Sequence, residues 1–450
     1  MTTTTFTLSD DQESALSAVY GALKVSDEAV LVGAAGTGKT TVMRAFLASL
    51  GKRQVFCCTP TWKAALRFQE VTGRDAMTIH RLIYGAPIEQ DLPDGSVSLH
   101  FTLRGNPAQQ IPRNSLVIVD ECSMIGTKTY SDLMRVIRAT DSKVFFVGDR
   151  EQLEPVNDQW GVNFNEPTAA LTRIHRQAEG SSVLRFVTSI REGWVKEFVQ
   201  YDESVRWIHP NKRQPQLTTS VIEDFFAQSG DNRASRIAIS YTNRLRQGLN
   251  RIARRVYGIS EEVLVPGEIL LSFSNAAGLV NGEQIIVKEI RQSDDSPLWK
   301  SLRAVCAPAG LDVWSLVVSP PGRPEHRIFV FPQAFGEDAP DHRTLLKPII
   351  EALRPFGLAD DRGRILYPQA GAKIPEKIAA LSNAAQMIGQ VEYGYACTAH
   401  KAQGSQWPHV LVAVEPALIG TIKREGQDFG RRWFYTACTR TQETLTVVSL

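Results

Sequence analysis

The sequence predicts an α/β fold built from two parallel-sheet units, and three of its features carry that expectation. Short continuous apolar runs, each bounded by polar or turn residues, alternate with helical stretches in the first third of the chain: Ala29 to Val32, Val55 to Cys58, Leu116 to Val119 and Val144 to Val147. Runs of this kind read as strands covered on both faces, which is the condition of a parallel sheet. The same signature returns at Ile237 to Ser240, Tyr393 to Cys397, Val410 to Val414 and Leu445 to Val448. Between the members of that second group lies a long stretch of different rhythm, in which β-like runs are divided by Pro and Gly turns.

Length and composition agree with this. A chain of 450 residues exceeds one average domain, so at least two packed units are expected. Hydrophobic content of 43% with 22% charged residues is ordinary for a globular chain and excludes the disordered and fibrous classes. The formal net charge is +2, from 50 basic and 48 acidic residues, so any basic groove must be local. No apolar run reaches membrane-spanning length and the opening MTTTTFTLSDD lacks the order of a signal peptide, so a cytoplasmic protein with no membrane partner is expected. The six cysteines have no paired metal-ligand spacing and read as reduced structural thiols.

In chain order, residues 1–180 form the first unit. Within it Tyr84 to Pro112 breaks the strand-helix rhythm and contains an alternating piece, Ser96 to Leu103, so residues 84–112 are expected to be a small hairpin insertion. The second unit starts near Ser181, runs over 181–265 and resumes at 379–450. The intervening 266–378 holds β-like runs at Ile269 to Phe273, Gln284 to Ile290, Val313 to Val318 and Arg327 to Phe331, with one helix near Leu345 to Leu353. A small β-barrel, SH3-like in kind, fits that pattern.

The strongest chemical signal is Gly33-Ala34-Ala35-Gly36-Thr37-Gly38-Lys39-Thr40, which follows the strand Ala29 to Val32 and opens the helical stretch Thr41 to Leu50. This is the phosphate-binding P-loop pattern in the strand-loop-helix setting that it requires. Its glycines turn backbone N–H groups inward around phosphates, the helix N-terminus adds positive potential, Lys39 reaches the terminal phosphates and the Thr40 hydroxyl can bind Mg²⁺. Leu116 to Val119 then leads into Asp120-Glu121, two carboxylates at the end of a buried strand. Asp120 is expected to hold Mg²⁺ through water and Glu121 to orient or deprotonate the attacking water. A carboxylate pair alone is more often a solvated strand end; with the P-loop upstream, the two motifs define an ATPase. Such sites need a cation on the transferring phosphoryl group, worth roughly 10³ to 10⁵ in rate. Arg176 and Arg440, each behind an apolar segment, are the candidates.

From Leu8 onward the ordered motifs give the chain a family resemblance: it resembles a superfamily 1 helicase of the RecD-like branch, nearest in layout to the phage Dda-type helicases. Gln12 resembles the adenine-reading glutamine, and Gly148 to Val156 is similar to the motif whose glutamine, here Gln152, senses the γ-phosphate. Arg176 and Arg440 fall where the family keeps its γ-phosphate arginines, and Gly404 lies in Thr398 to Gln406, similar to the coupling motif that meets both nucleotide and DNA. First-lobe DNA contacts are implied at Thr59, Pro60, Thr61, Trp62 and His80, and second-lobe contacts at Thr242, Asn243, Thr398 and His400. The Asn281-Gly282-Glu283 turn is the part of the insertion that agrees with the family.

The resemblance implies two RecA-like lobes with ATP between them, DNA across their top and translocation in the 5′-to-3′ direction. It implies single-stranded and forked duplex DNA as partners, a monomer, and replication or recombination proteins as associates. Trp62, Trp407 and Phe101 are the aromatic candidates for base stacking, and Phe101, on the expected hairpin, for a strand-separating wedge; each also reads as ordinary core packing. His400 reads either as a satisfied local hydrogen-bonding residue or as a coupling contact. Two other functions remain open at this point: a helicase subunit of a nuclease complex, and a P-loop NTPase that clamps DNA or remodels a protein partner.

Overall fold

The computed structural model describes residues 8–51, 53–85, 88–91, 97–155, 158–173, 181–193, 203–209, 216–230, 232–259, 264–274, 276–335, 339–360, 365–366 and 374–450. In the first lobe the order is α1 (Asp10–Val25), β1 (Glu28–Gly33), α2 (Lys39–Ser49), β2 (Val55–Thr59), α3 (Trp62–Thr72), β3 (Ala76–Thr78), α4 (Ile79–Ile83), β4 (Ile88–Asp91), β5 (Val97–His100), β6 (Leu116–Val119), α5 (Thr127–Ala139), β7 (Lys143–Gly148) and β8 (Ala169–Leu171). Six strands form one sheet in the order β3-β2-β6-β7-β1-β8, with every pair parallel. The unbroken apolar runs have a simple cause. Val30, Val32, Val117, Val119, Val144 and Phe146 point to a core shared with α4 and α5, while Ala29, Leu31, Leu116, Ile118, Phe145 and Val147 point to a core beneath α1, α2 and α3. With a helical layer on both faces, every strand position must be apolar.

The chain continues through α6 (Ser182–Arg191), β9 (Val205–Ile208), α7 (Gln216–Ala227), β10 (Arg236–Ser240) and α8 (Asn243–Val256). Then come β11 (Ile269–Ser272), β12 (Gln284–Arg291), α9 (Pro297–Cys306), β13 (Trp314–Ser319), β14 (His326–Val330), α10 (His342–Leu353), α11 (Glu376–Ala385) and β15 (Val391–Tyr393). It ends with β16 (Ala396–Thr398), α12 (Ala399–Ala402), β17 (Trp407–Val414), α13 (Pro416–Glu425), α14 (Gln427–Cys438) and β18 (Thr441–Ser449). The second parallel sheet has the order β16-β10-β17-β18-β9. It draws strands from both sides of the insertion, so neither half of the second lobe can form its sheet alone.

The insertion forms an antiparallel sheet, β14-β13-β12-β11-β15. Its edges meet. The Phe329 N–H donates to Met387 O at 2.8 Å and the Gly389 N–H to Phe329 O at 2.8 Å, and the same segment runs on into β15 at the opposite edge. Closure of this kind removes exposed sheet edges. Two features differ from the sequence reading. The closing strand lies beyond residue 378, and α9 and α11 accompany α10 where one helix was expected. Trp299, Leu302, Phe329, Phe331, Leu345, Ile349 and Leu381 form the core they share. In the first lobe β4 and β5 pair antiparallel, Ile88 opposite His100 and Asp91 opposite Val97. All six cysteines are unpaired and buried, and among the described residues no helix is long and apolar enough to cross a membrane.

Candidate functional site: the cleft between the two parallel sheets

The phosphate loop leaves β1 at Gly33 and enters α2 at Lys39. Gly36 and Gly38 sit at φ 81° and 83°, the left-handed region where a side chain would be strained, so the loop can curl its amides inward only with glycine at those two places. Thr37 is fully buried, and its hydroxyl donates to Ala34 O at 2.9 Å. From α1, the buried Gln12 braces the loop: its Nε2 donates to Thr37 O at 3.4 Å while its Oε1 accepts the Ser9 N–H at 3.2 Å. The Lys39 ammonium lies across the loop, donating to Gly33 O at 2.6 Å and Ala34 O at 3.1 Å. Thr40 is exposed on the first turn of α2 and Thr41 is half-buried behind it.

Asp120 and Glu121 stand at the end of β6, two strands from β1. Glu121 is a non-glycine residue at φ 54°, and its N–H donates to Asp120 Oδ1 at 2.9 Å, so the chain turns sharply and keeps the two carboxylates together. Backbone strain of this sort is commonly held in place at working sites. Burial pushes the Asp120 carboxyl up to about 7, Glu121 adds to the shift, and Lys39 opposes it. Gln152, beyond β7, donates to Glu121 Oε2 at 3.4 Å, while its Oε1 is buried without a partner. Asp149 is buried, accepting the Glu151 N–H at 3.0 Å on one oxygen.

These residues fit a nucleotide triphosphate with Mg²⁺. Lys39 would be the phosphate cation, the Gln152 oxygen is buried without a partner, and Thr40 and Asp120 would supply one hydroxyl and one carboxylate. Among the described residues no group of three or more His, Cys, Asp or Glu could cage a metal. A sparse oxygen set is what Mg²⁺ takes when phosphates and water complete its shell.

The second lobe closes this site with α14. Tyr435 donates its hydroxyl proton to Asp149 Oδ2 at 2.6 Å and accepts the Ala35 N–H at 2.8 Å. The Leu153 N–H donates to Thr436 Oγ1 at 2.9 Å, and Gln403 Nε2 reaches Leu153 O at 3.5 Å. Farther out, Arg431 pairs with Glu151, and Arg432 pairs with Glu154 at 3.0 Å while stacking 4.2 Å from the Trp160 ring centroid. Just past the helix, Arg440 is buried and, among the described residues, donates to neutral oxygens: Thr436 O at 2.9 Å, Thr439 Oγ1 at 2.8 Å and Ser405 O at 3.3 Å. Burial lowers its pKa and the Glu121 charge works against that. A guanidinium held by neutral acceptors keeps its charge available to an anion. Arg176 lies outside the described residues.

A second set of residues lines the carboxyl edge of both sheets. In the first lobe β2 and β3 run parallel with Thr59 opposite Thr78, and each strand feeds a helix, so Thr61 and His80 emerge side by side. In the second lobe Ser240 stands opposite Thr398, which brings out Thr242 and Asn243 beside His400. Thr59 itself is buried, donating to Thr61 O at 2.7 Å, and shapes the turn through Pro60. Thr61 and Thr242 cap their helices by accepting the N–H groups of Ala64 and Leu245, both at 3.2 Å. Asn243 is exposed, and Trp62 is half-buried beneath the Arg81 guanidinium at 5.5 Å. Burial lowers the pKa of both His80 and His400, so each is neutral at physiological pH.

Three assignments need correction. Trp407 is 4% exposed, donates to Gln284 Oε1 at 2.6 Å and carries Lys63 4.8 Å over its ring, so it is a junction in the core with no face left for a base. Phe101 sits at the foot of the hairpin, 4.5 Å from the His80 ring and 5.4 Å from that of Tyr84, and packs the hairpin onto α4 instead of forming a wedge. The turn at 92–96 lies outside the described residues. Gly404 adjoins Thr61 and Ala64 of α3, where an added Cβ would stand 3.5 and 3.4 Å away. Its neighbours are the other lobe's edge residues, not the phosphate loop.

Residues with no assigned role also shape the site. Glu415 accepts the Tyr241 N–H at 3.0 Å, the Thr242 N–H at 2.7 Å and the Thr242 hydroxyl at 2.6 Å, from a position that no local motif marks. Lys63 donates to Gly282 O at 3.0 Å and Lys401 to Asn281 Oδ1 at 2.7 Å, tying both lobes to the barrel. Burial lowers Lys63 to about 8. Tyr435 lay inside a recognised block without a role of its own.

Comparison with known proteins follows the same division. Residues 7–213 match a family model described as an AAA domain, and residues 393–448 one described as a UvrD-like helicase C-terminal domain. The ATP-dependent RecD2 DNA helicase of Deinococcus radiodurans is 36% identical over 193 residues, 41% of this chain and 24% of that protein. The ATP-dependent DNA helicase dda of Enterobacteria phage T4 is 23% identical over 277 residues, 59% of this chain and 60% of that protein. This chain therefore spans about a quarter of the first relative and less than two thirds of the second. A Bacteroides Pif1 helicase solved with ADP-AlF3 and ssDNA superposes with a TM-score of 0.53 at 15% identity, covering 99% of this chain and 92% of that one, which is a likeness of fold. Its two matched models, taken in order along a fold of two parallel sheets with a P-loop on the first, agree with the chain's resemblance to the RecD-like, Dda-type branch of the superfamily 1 helicases.

Proposed function

We propose that the chain is an ATP-dependent DNA helicase that moves 5′-to-3′ along single-stranded DNA and separates duplex at a fork. The observation that carries this reading is the meeting of the two lobes at one point: Tyr435 of the second lobe closes on the phosphate loop of the first and Arg440, just past the same helix, lies within the influence of the Glu121 charge, while the strand edges leading to Thr61, His80, Thr242 and His400 emerge from the two sheets. A cleft assembled from two bodies shuts fully only around its nucleotide, so turnover changes the spacing of the two edges, and alternating grips become directed motion.

In this reading Lys39 and the loop amides bind the phosphates, Glu121 orients water, and Gln152 and Arg440 meet the γ-phosphate. Mg²⁺ held by Thr40 and Asp120 supplies charge neutralisation for the phosphates. Gln12 holds the loop on the adenine side, and Arg176 is a second cation for the site. The protein works as a monomer in the cytoplasm, on single-stranded and forked DNA, beside replication or recombination proteins.

The test is ATP hydrolysis with and without single-stranded DNA, then strand separation on forks with a 5′ or a 3′ tail. DNA-stimulated turnover, abolished by Lys39→Ala, with unwinding from the 5′ tail alone is the expected result. Turnover indifferent to DNA would overturn the motor reading in favour of a clamp or a protein remodeller, and unwinding from the 3′ tail would reverse the direction.

A further inference from the structure

One face of α14 reads as a ruler laid against the first lobe. Arg432, Tyr435 and Thr436 follow each other at helical spacing, and Arg440 comes one turn later. Arg432 meets Glu154, Thr436 receives the Leu153 N–H, and Tyr435 spans Ala35 and Asp149. Of these contacts only that of Tyr435 touches the phosphate loop itself. Its hydroxyl is used in both senses, as acceptor from the loop amide at 2.8 Å and as donor to a buried carboxylate at 2.6 Å, which fixes its proton and its orientation together. The ring is 1% exposed within the second-lobe core, so the hydroxyl has no freedom to follow the loop. Phosphate loop and arginine are thereby referred to one rigid helix.

We propose that Tyr435 is a positioning residue for hydrolysis: its hydroxyl, held between the Ala35 amide and the Asp149 carboxylate, sets the register in which the helix leading to Arg440 meets the phosphate loop. The aromatic ring serves only to hold it. The inference rests on the ATPase reading above. Loop amides other than that of Ala35 remain to bind phosphate, so nucleotide affinity does not depend on the hydroxyl, whereas the placement of Arg440 does.

The experiment uses the full chain with Tyr435→Phe, which removes one oxygen and keeps the ring. Steady-state ATP turnover is measured with saturating oligo(dT), and affinity is measured with a fluorescent ADP analogue. A fall in kcat of roughly tenfold or more is expected, because a hydrogen bond to a charged partner is lost, with KM and analogue affinity within about threefold. Unchanged kcat, or a rise in KM alone, would overturn the proposal, since packing without the hydroxyl would then suffice. Thr436→Val, which removes the neighbouring Leu153 contact, is a second route: it is expected to lower kcat in the same way, and normal turnover in that variant would count against the ruler. Wild-type protein that hydrolyses no ATP would defeat the ATPase reading itself, whereas an active wild type beside an equally active Tyr435→Phe would defeat this inference alone.

Discussion

Removing the Glu415 carboxylate should loosen the start of α8 while leaving the rest of the second lobe in place. Glu415 is 8% exposed and accepts three hydrogen bonds, two from consecutive main-chain N–H groups, of Tyr241 and Thr242, and one from the Thr242 hydroxyl. Glu415→Ala strands both amides. A fully buried orphan costs about 1–3 kcal/mol, but Tyr241 and Thr242 are half-buried, so water recovers part of the loss and about 2 kcal/mol remains. Glu415→Gln keeps an acceptor of the same reach and loses only the charge, at about 0.5–1 kcal/mol. The unfolding of a chain with several units need not be two-state, so a global melt is the wrong assay. Hydrogen exchange of the peptide carrying Tyr241 and Thr242 reports the local opening directly, and 2 kcal/mol corresponds to roughly thirtyfold faster exchange. Because Thr242 caps α8 and Asn243 follows it, single-stranded DNA affinity should fall in the same order, most in Glu415→Ala. Exchange in Glu415→Ala within threefold of wild type, or Glu415→Gln as fast as Glu415→Ala, would refute the claim that this carboxylate holds the edge.

Two further outcomes follow from buried charges. Asp120 is raised from 3.8 to about 7 by burial, so between those pH values the folded protein binds more protons at this site than the unfolded chain and stability falls as pH rises. Asp120→Asn should therefore stabilise the metal-free protein by roughly 1–3 kcal/mol at pH 8 and do little near pH 4, while Mg²⁺-dependent turnover disappears; a variant less stable than wild type at pH 8 would contradict the burial argument. Glu268 is fully buried, paired with Arg254 at 2.7 Å and accepting the Val265 N–H at 2.9 Å. Glu268→Ala takes this carboxylate away from the buried Arg254 guanidinium and should cost about 1–3 kcal/mol, seen as early proteolysis of the insertion next to α8; resistance equal to wild type would show that the pair contributes little.

The layout of the cleft was legible because its motifs are local. The P-loop, Asp120-Glu121 and the Gly148 to Val156 block each lie within one strand-to-loop transition, and backbone geometry fixes what such a transition can do. The parallel strands were legible for the same reason, being covered on both faces and so unbroken in their apolar runs. Strands β3, β8 and β9 were not seen, because three or four residues carry too short a pattern to separate from a loop. Helices α9 and α11 were hidden by neighbouring Pro and Gly that read as turns, although Ser296 followed by Pro297 is a helix start by its own chemistry. Phe101 and Trp407 were misjudged because an aromatic side chain has the same local signature whether it stacks on a base or fills a core.

The sequence by itself determined the phosphate loop, the strand-end carboxylates, the two-sheet class and the position of the insertion, since each depends on residues within a few positions of one another. Tertiary structure alone decided that the segment leading into β15 closes the insertion against β14, that Trp407 is buried, that Glu415 braces the start of α8 from another element, and that Tyr435 joins the phosphate loop to Asp149, 400 residues of chain lying between Tyr435 and Ala35. The physical reason is range: backbone conformation and apolar periodicity are set by near neighbours, whereas a hydrogen bond between lobes exists only once both sheets have folded and met.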